Sequence, residues 1–125
     1  MSKFKSQGFA GTFRNARKGF RIVVKSEKNI RIHLIISLFV LSAACLLNFS
    51  AIEFCILLLA IAIVIISEIL NTAIEFALDS IYHNRYSKMV GMAKDISAGA
   101  VMFASFISLS IGVILFGLHL FVPEL

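Results

Sequence analysis

AIEFCILLLAIAIVIISEILNTAIEFALDSI, residues 51–81, decides the fold of this chain. Its first half is apolar apart from Glu53 and approaches the ~20 residues that a helix needs to cross a bilayer. Its second half stays apolar at Ile69, Leu70, Ala73, Ile74, Phe76, Ala77 and Leu78 but brings in Glu68, Asn71, Glu75 and Asp79. At about 100° per residue these four fall near 0°, −60°, −20° and +20° around a helix axis, on one narrow face. A helix emerging into water could also carry a solvated acidic face, but its remaining faces would not then stay apolar. Acids on a membrane helix are costly and mark a functional site by default.

Two further apolar runs flank this stretch, His33–Phe49 and Ile96–Leu120, in a chain that is 59% hydrophobic with a mean hydropathy of +0.94. Only Asn48, Phe49 and Ser50 separate the first run from the second, which predicts a tight helical hairpin. The expected fold is an all-α membrane protein of one domain over residues 1–125. An N-terminal amphipathic surface helix occupies 1–31 and three transmembrane helices occupy 32–120. If Ala51 marks the outer interface, Glu68 lies about 25 Å further in at 1.5 Å per residue. That depth is just short of the cytoplasmic interface, with Glu75 and Asp79 in the headgroup zone.

Nine of the 12 Lys and Arg lie within residues 1–31, and the others are Arg85, Lys88 and Lys94. By the positive-inside rule the N-terminus and the 80–95 loop face the cytoplasm, while the short turn and the C-terminus face out. This asymmetry accounts for the net charge of +5 without any nucleic-acid partner. The first 30 residues lack the apolar core of a cleavable signal peptide. Cys45 and Cys55 match no metal or redox spacing and read as packing residues, with a disulfide across the hairpin left open.

Phe9, Phe13, Ala16, Phe20, Val23 and Val24 form a helical apolar stripe beside an arc of Arg14, Arg17, Lys18, Arg21, Lys25 and Lys28, the pattern of a helix lying on anionic lipid. Glu27 falls five full turns after Phe9, so an unbroken helix would aim it along that stripe. Ala100, Ala104, Ser108 and Gly112 recur every four residues in the third span and permit close helix packing. Such packing would bring Lys94 and Asp95 within reach of the second span. Three helices make a thin bundle, so a homo-oligomer is expected.

Three carboxylates, a carboxamide and a lysine at a membrane surface suit a divalent cation and a polyphosphate, because Mg²⁺ prefers carboxylate and phosphate oxygens and lysine binds phosphate as a point charge. A carboxylate at the hydrocarbon edge could accept a proton from a lipid hydroxyl. These are the parts of phosphoryl transfer, although neither a GxxxxGK(S/T) loop nor a protein-kinase signature set is present. An ion-coupled transporter would need an acid near the midplane, and Glu53 and Glu68 lie near opposite edges. A purely structural bundle would explain the small-residue stripe but not the aligned polar cluster.

The motifs ExxNTAIExxxD (68–79) and AKDxxAGAV (93–101) resemble the prokaryotic diacylglycerol kinase family, small trimeric membrane lipid kinases. The resemblance covers about residues 13–115. FRNARKGF and SEKNIRIHL look like the undecaprenol kinase branch typical of Gram-positive bacteria. The resemblance implies a homotrimer in the bacterial cytoplasmic (inner) membrane. It implies transfer of the γ-phosphate of MgATP to a lipid alcohol, undecaprenol first and diacylglycerol second. By position, Glu68 matches the catalytic base and Asn71 its essential polar neighbour. Glu27 and Glu75 match the carboxylates holding the metal–ATP complex, and Lys94 and Asp95 match nucleotide contacts, Lys94 on the phosphates. Asn15 matches a nucleotide-side position and Arg31 a lipid-side one; Asp79 matches a family acid with no assigned step. The loop YHNRYSKMVGMAKD departs from the family pattern, with Ser87 where a His is usual, His83 four residues earlier, and Tyr86 as a weak nucleotide contact.

Overall fold

The computed structural model describes residues 8–83, 85 and 87–122. It is all-helical, with α1 (Gly8–Ser26), α2 (Lys28–Leu46), α3 (Ala51–Tyr82) and α4 (Lys88–Phe121). The last three are each long and apolar enough to cross a membrane, so the expected surface helix plus three spans is the architecture found. Tyr86 lies outside the described residues.

Local chemistry sets the breaks. α2 ends in a Schellman motif: Asn48 takes the left-handed conformation (φ 59°), the Phe49 N–H bonds the Ala44 carbonyl and the Asn48 N–H bonds the Cys45 carbonyl. Asn tolerates that conformation better than most residues. Ser50 then opens α3 with a capping box, its hydroxyl accepting from the Glu53 N–H while the Glu53 carboxylate accepts from the Ser50 N–H. At the far end His83 closes α3 in the left-handed region (φ 49°), its N–H on the Asp79 carbonyl.

Between α1 and α2 the helix breaks at one residue. Glu27 is extended (φ −115°, ψ 115°) and its carboxylate makes no capping bond. Because the helix ends at Ser26, the phase that would carry Glu27 along the α1 stripe does not reach it. The open carbonyls at the end of α1 are met instead by Arg31, whose Nη1 donates to the Val24 and Lys25 oxygens, both at 2.8 Å.

The main packing seam is the antiparallel α3–α4 pair, with α2 on a second side of α3. Its buried positions recur every three or four residues on α3 (Leu57, Ala60, Val64, Glu68, Thr72) and every seven on α4 (Val90, Ser97, Ala104), the spacing of a helix–helix seam. Of the small-residue stripe, Ala104 is buried and Ala100 is exposed, while Ser108 and Gly112 border a groove. Val23 anchors the end of α1, whereas Phe9 and Phe13 stack on each other and stay exposed. Large side chains along the spans, such as Phe39, Leu59 and Phe103, are also exposed in the single chain.

A polar clamp ties the three spans at the end opposite the acidic face. His119, in the last turn of α4, places Nδ1 3.2 Å from the Glu53 carboxylate and Nε2 on the Leu47 carbonyl. Phe49 packs against both the His119 ring (4.7 Å) and Phe116 (4.8 Å). His119→Ala is expected to lower the melting temperature in detergent by about 5 °C without changing the chemistry at the other end. An unchanged melting temperature would show that the ring holds nothing.

Candidate functional site

The C-terminal half of α3 carries the acidic face, and α4 runs back alongside it. The face is not uniform. Glu68 is only 5% exposed, set in the seam, whereas Asn71, Glu75 and Asp79 are half-buried. Two factors separate them: Glu68 lies one to three turns deeper, and α4 covers only part of the arc. An acid this buried needs a polar partner, and the nearest is His33 of α2, with Nε2 3.5 Å from Oε1. Thr72, also buried, spends its hydroxyl hydrogen on the Glu68 backbone carbonyl at 3.0 Å.

One turn further out, Asn71 links the two helices. Its Oδ1 accepts from the Ser97 hydroxyl at 2.7 Å, and its Nδ2 faces the Glu75 carboxylate at 3.4 Å. With both ends of the carboxamide engaged, Asn71 fixes the side chain of Glu75 relative to α4. At the outer limit of the face Lys94 of α4 reaches back to Asp79, Nζ to Oδ1 at 2.7 Å. Asp79, for which the sequence suggests no step, therefore holds the lysine. A small cavity of about 220 Å³ opens beside this pair, bordered by Asp79, Tyr82, Arg85, Ser87, Gly91 and Lys94. Two cations, Arg85 and Lys94, border it beside the carboxylate of Asp79.

The structure thus brings together Glu68, Asn71, Glu75, Asp79 and Lys94 along α3 and α4. It does not gather every candidate. Asp95 is exposed, and Asn15 is exposed on α1. Glu27 stands at the α1–α2 joint, and Arg31 is committed to capping α1. Among the described residues no group of three or more His, Cys, Asp or Glu side chains converges on one point.

Three residues of the site carry no role in the sequence reading. Ser97 sits at a variable position of AKDxxAGAV, and its signal is the spacing of seven from the small residue Ala104. His33 opens the apolar run of residues 33–49, where a lone imidazole carries no periodic signal. Arg85 lies in the divergent loop.

Apolar space adjoins the site on two sides. A groove of about 450 Å³ runs along the spans between α2, α3 and α4, with His33 at the end nearer the acidic face and Phe116 at the other. A second, of about 530 Å³, lies between α1 and α3, lined by Phe20, Val23, Thr72 and Phe76 among others. Glu68 lines neither groove itself, but Val64 and Ile65 line the first and Ile69 and Thr72 the second, so the buried carboxylate lies beside apolar space and one to three turns from a polar rim.

The family model of prokaryotic diacylglycerol kinase matches residues 14–116. The chain is 36% identical over 101 residues to a diacylglycerol kinase of Synechocystis sp., covering 81% of this chain and 58% of that protein. It is 34% identical over 108 residues to the undecaprenol kinase of Bacillus subtilis, covering 86% of this chain and 87% of that one. To the diacylglycerol kinase of Escherichia coli it is 33% identical over 102 residues, 82% of this chain and 83% of that one. With one family matched across nearly the whole chain, and with the polar face at the end where its motifs converge, the chain belongs to the prokaryotic diacylglycerol kinase family.

Proposed function

We propose that the chain is an ATP-dependent lipid kinase that moves the γ-phosphate of MgATP to the hydroxyl of a membrane lipid alcohol, undecaprenol in preference to diacylglycerol. The observation that carries this reading is the buried Glu68 beside apolar grooves, with Asn71, Glu75 and Lys94 on the rim. A lipid alcohol enters from the apolar side and places its hydroxyl on Glu68, which takes the proton as the oxygen attacks. The nucleotide approaches from the cytoplasm, with Lys94 neutralising its phosphates and Asp95 and Asn15 on the nucleotide side. Arg31 stands on the lipid side. Family membership supports the reaction class, and the N-terminal FRNARKGF and SEKNIRIHL segments support undecaprenol.

A divalent cation, Mg²⁺, would shield the charge of the transferred phosphate. Glu75, beside Asn71, and Glu27, at the α1–α2 joint, are the carboxylates that would hold it, and carboxylate oxygen is the donor chemistry that Mg²⁺ prefers. Few carboxylates and no all-protein cage are what Mg²⁺ accepts when phosphate oxygens and water fill the remaining positions. Asn71 keeps the Glu75 carboxylate oriented for that task while it is anchored to Ser97.

The same reading sets the protein in the cytoplasmic membrane as a homotrimer, with the N-terminus and the α3–α4 loop in the cytoplasm. The basic residues at that end support the orientation, and the apolar faces left uncovered in one chain support assembly. The test is the purified protein in mixed micelles with labelled ATP and each alcohol in turn. Faster labelling of undecaprenol is the expected result. Faster labelling of diacylglycerol would reverse the substrate order, and labelling of neither would remove the kinase reading.

A further inference from the structure

We infer that His33 is the positioning residue of Glu68: its Nε2, 3.5 Å from Oε1, sits against that oxygen of the carboxylate and so leaves Oε2 facing the lipid hydroxyl. This rests on the kinase reading for its consequence but on the geometry for the pairing itself.

The Glu68 carboxylate has few ways to be satisfied. Its side chain is 7% exposed, so water reaches it poorly, and a buried acid needs a donor to stay ionised. The neighbouring donors are committed elsewhere. Thr72 bonds the Glu68 backbone carbonyl, Ser97 bonds Asn71, Asn71 faces Glu75, Lys94 pairs with Asp79, and Arg31 caps α1. His33 is the group whose polar atom lies against Oε1, at 3.5 Å across the α2–α3 contact. Nothing on α3 itself fills this role, so α2 supplies it.

The placement of the ring adds a second constraint. His33 is half-buried at the end of the 450 Å³ groove nearer the acidic face, in contact with its apolar space and with the carboxylate at once. Its own turn is tied down, because the Ser37 hydroxyl bonds the His33 carbonyl at 2.6 Å. A ring so placed sets the direction from which a lipid headgroup meets the base. It sits against one carboxylate oxygen and walls the approach to the other. A contact of 3.5 Å is long for a hydrogen bond, so it is suited to orientation more than to tight binding.

Two measurements test this, one without turnover. In the wild-type protein in lipid, ¹⁵N–¹³C solid-state NMR should give a through-space correlation between His33 Nε2 and Glu68 Cδ. In micelles, His33→Ala should lower kcat about tenfold, the low end for loss of a hydrogen bond to a charged group, with the KM for MgATP unchanged. His33→Gln, whose amide nitrogen can reach the place of Nε2, should recover most of that loss.

Absence of the correlation overturns the pairing. An unchanged kcat in His33→Ala, or a loss that appears only in the KM for the lipid, overturns the positioning role and leaves His33 as groove wall. A protein that shows the correlation yet phosphorylates no lipid alcohol overturns the kinase reading and keeps the pairing.

Discussion

Glu68→Gln is expected to lower the turnover of lipid phosphorylation by about a thousandfold, within the range that a general base contributes, while leaving the protein folded and able to bind MgATP. The substitution is nearly isosteric, so the seam around position 68 keeps its shape. The amide oxygen can take the place of Oε1 opposite His33 Nε2, which preserves the α2–α3 contact. What is lost is the ability to take a proton. Burial helps the variant, because a neutral amide costs less than an ion in a site only 5% exposed. A stability defect therefore cannot explain a dead enzyme, and melting temperature and oligomeric size in detergent should match wild type. MgATP binding should persist, because Glu75 and Lys94 are untouched. Turnover within tenfold of wild type would remove Glu68 from the role of base.

Lys94→Met is expected to cost about a hundredfold in kcat/KM for MgATP, the loss of a charge-assisted contact to phosphate. Asp79→Asn should cost about tenfold, because it releases the ammonium group that Asp79 holds at 2.7 Å. The double variant decides between the two roles of Asp79. If the acid acts through the lysine, the pair is no worse than Lys94→Met alone; independent action would multiply the two losses. The side chains are 38% and 41% exposed, and an ion pair so open to solvent contributes little to folding. Melting temperatures should accordingly change little in all three variants. A large thermal defect in Asp79→Asn would make the pair a structural tie and not a device for aiming Lys94.

The division of labour along α3 could be read only partly from residues 51–81. Helical periodicity puts Glu68, Asn71, Glu75 and Asp79 on one face with no knowledge of the fold, because 3.6 residues per turn is a local property of the backbone. The span lengths and the basic N-terminal region are equally local, and they carried the membrane architecture. The break at Glu27 was not legible. Helix phase extrapolated from Phe9 assumes an unbroken ladder, whereas α2 must change direction to enter the membrane. Arg31 makes that turn possible by capping the carbonyls it exposes. The His119–Glu53 clamp was likewise hidden, since it joins groups 66 positions apart whose meeting depends on α4 returning beside the start of α3.

By itself the sequence determined the elements of this protein, its membrane character, and which side chains form the polar face. Each follows from short-range periodicity, from hydropathy, and from motifs held within one helix. The tertiary structure alone decided how that face is used. It buried Glu68 while leaving Glu75 at the rim, gave Asp79 the lysine and Asn71 the serine of α4, and set His33 against the deepest acid. These pairings span 15 to 35 positions in the chain. They depend on the rotation and depth at which α2 and α4 dock on α3, and those are set by packing along the whole seam.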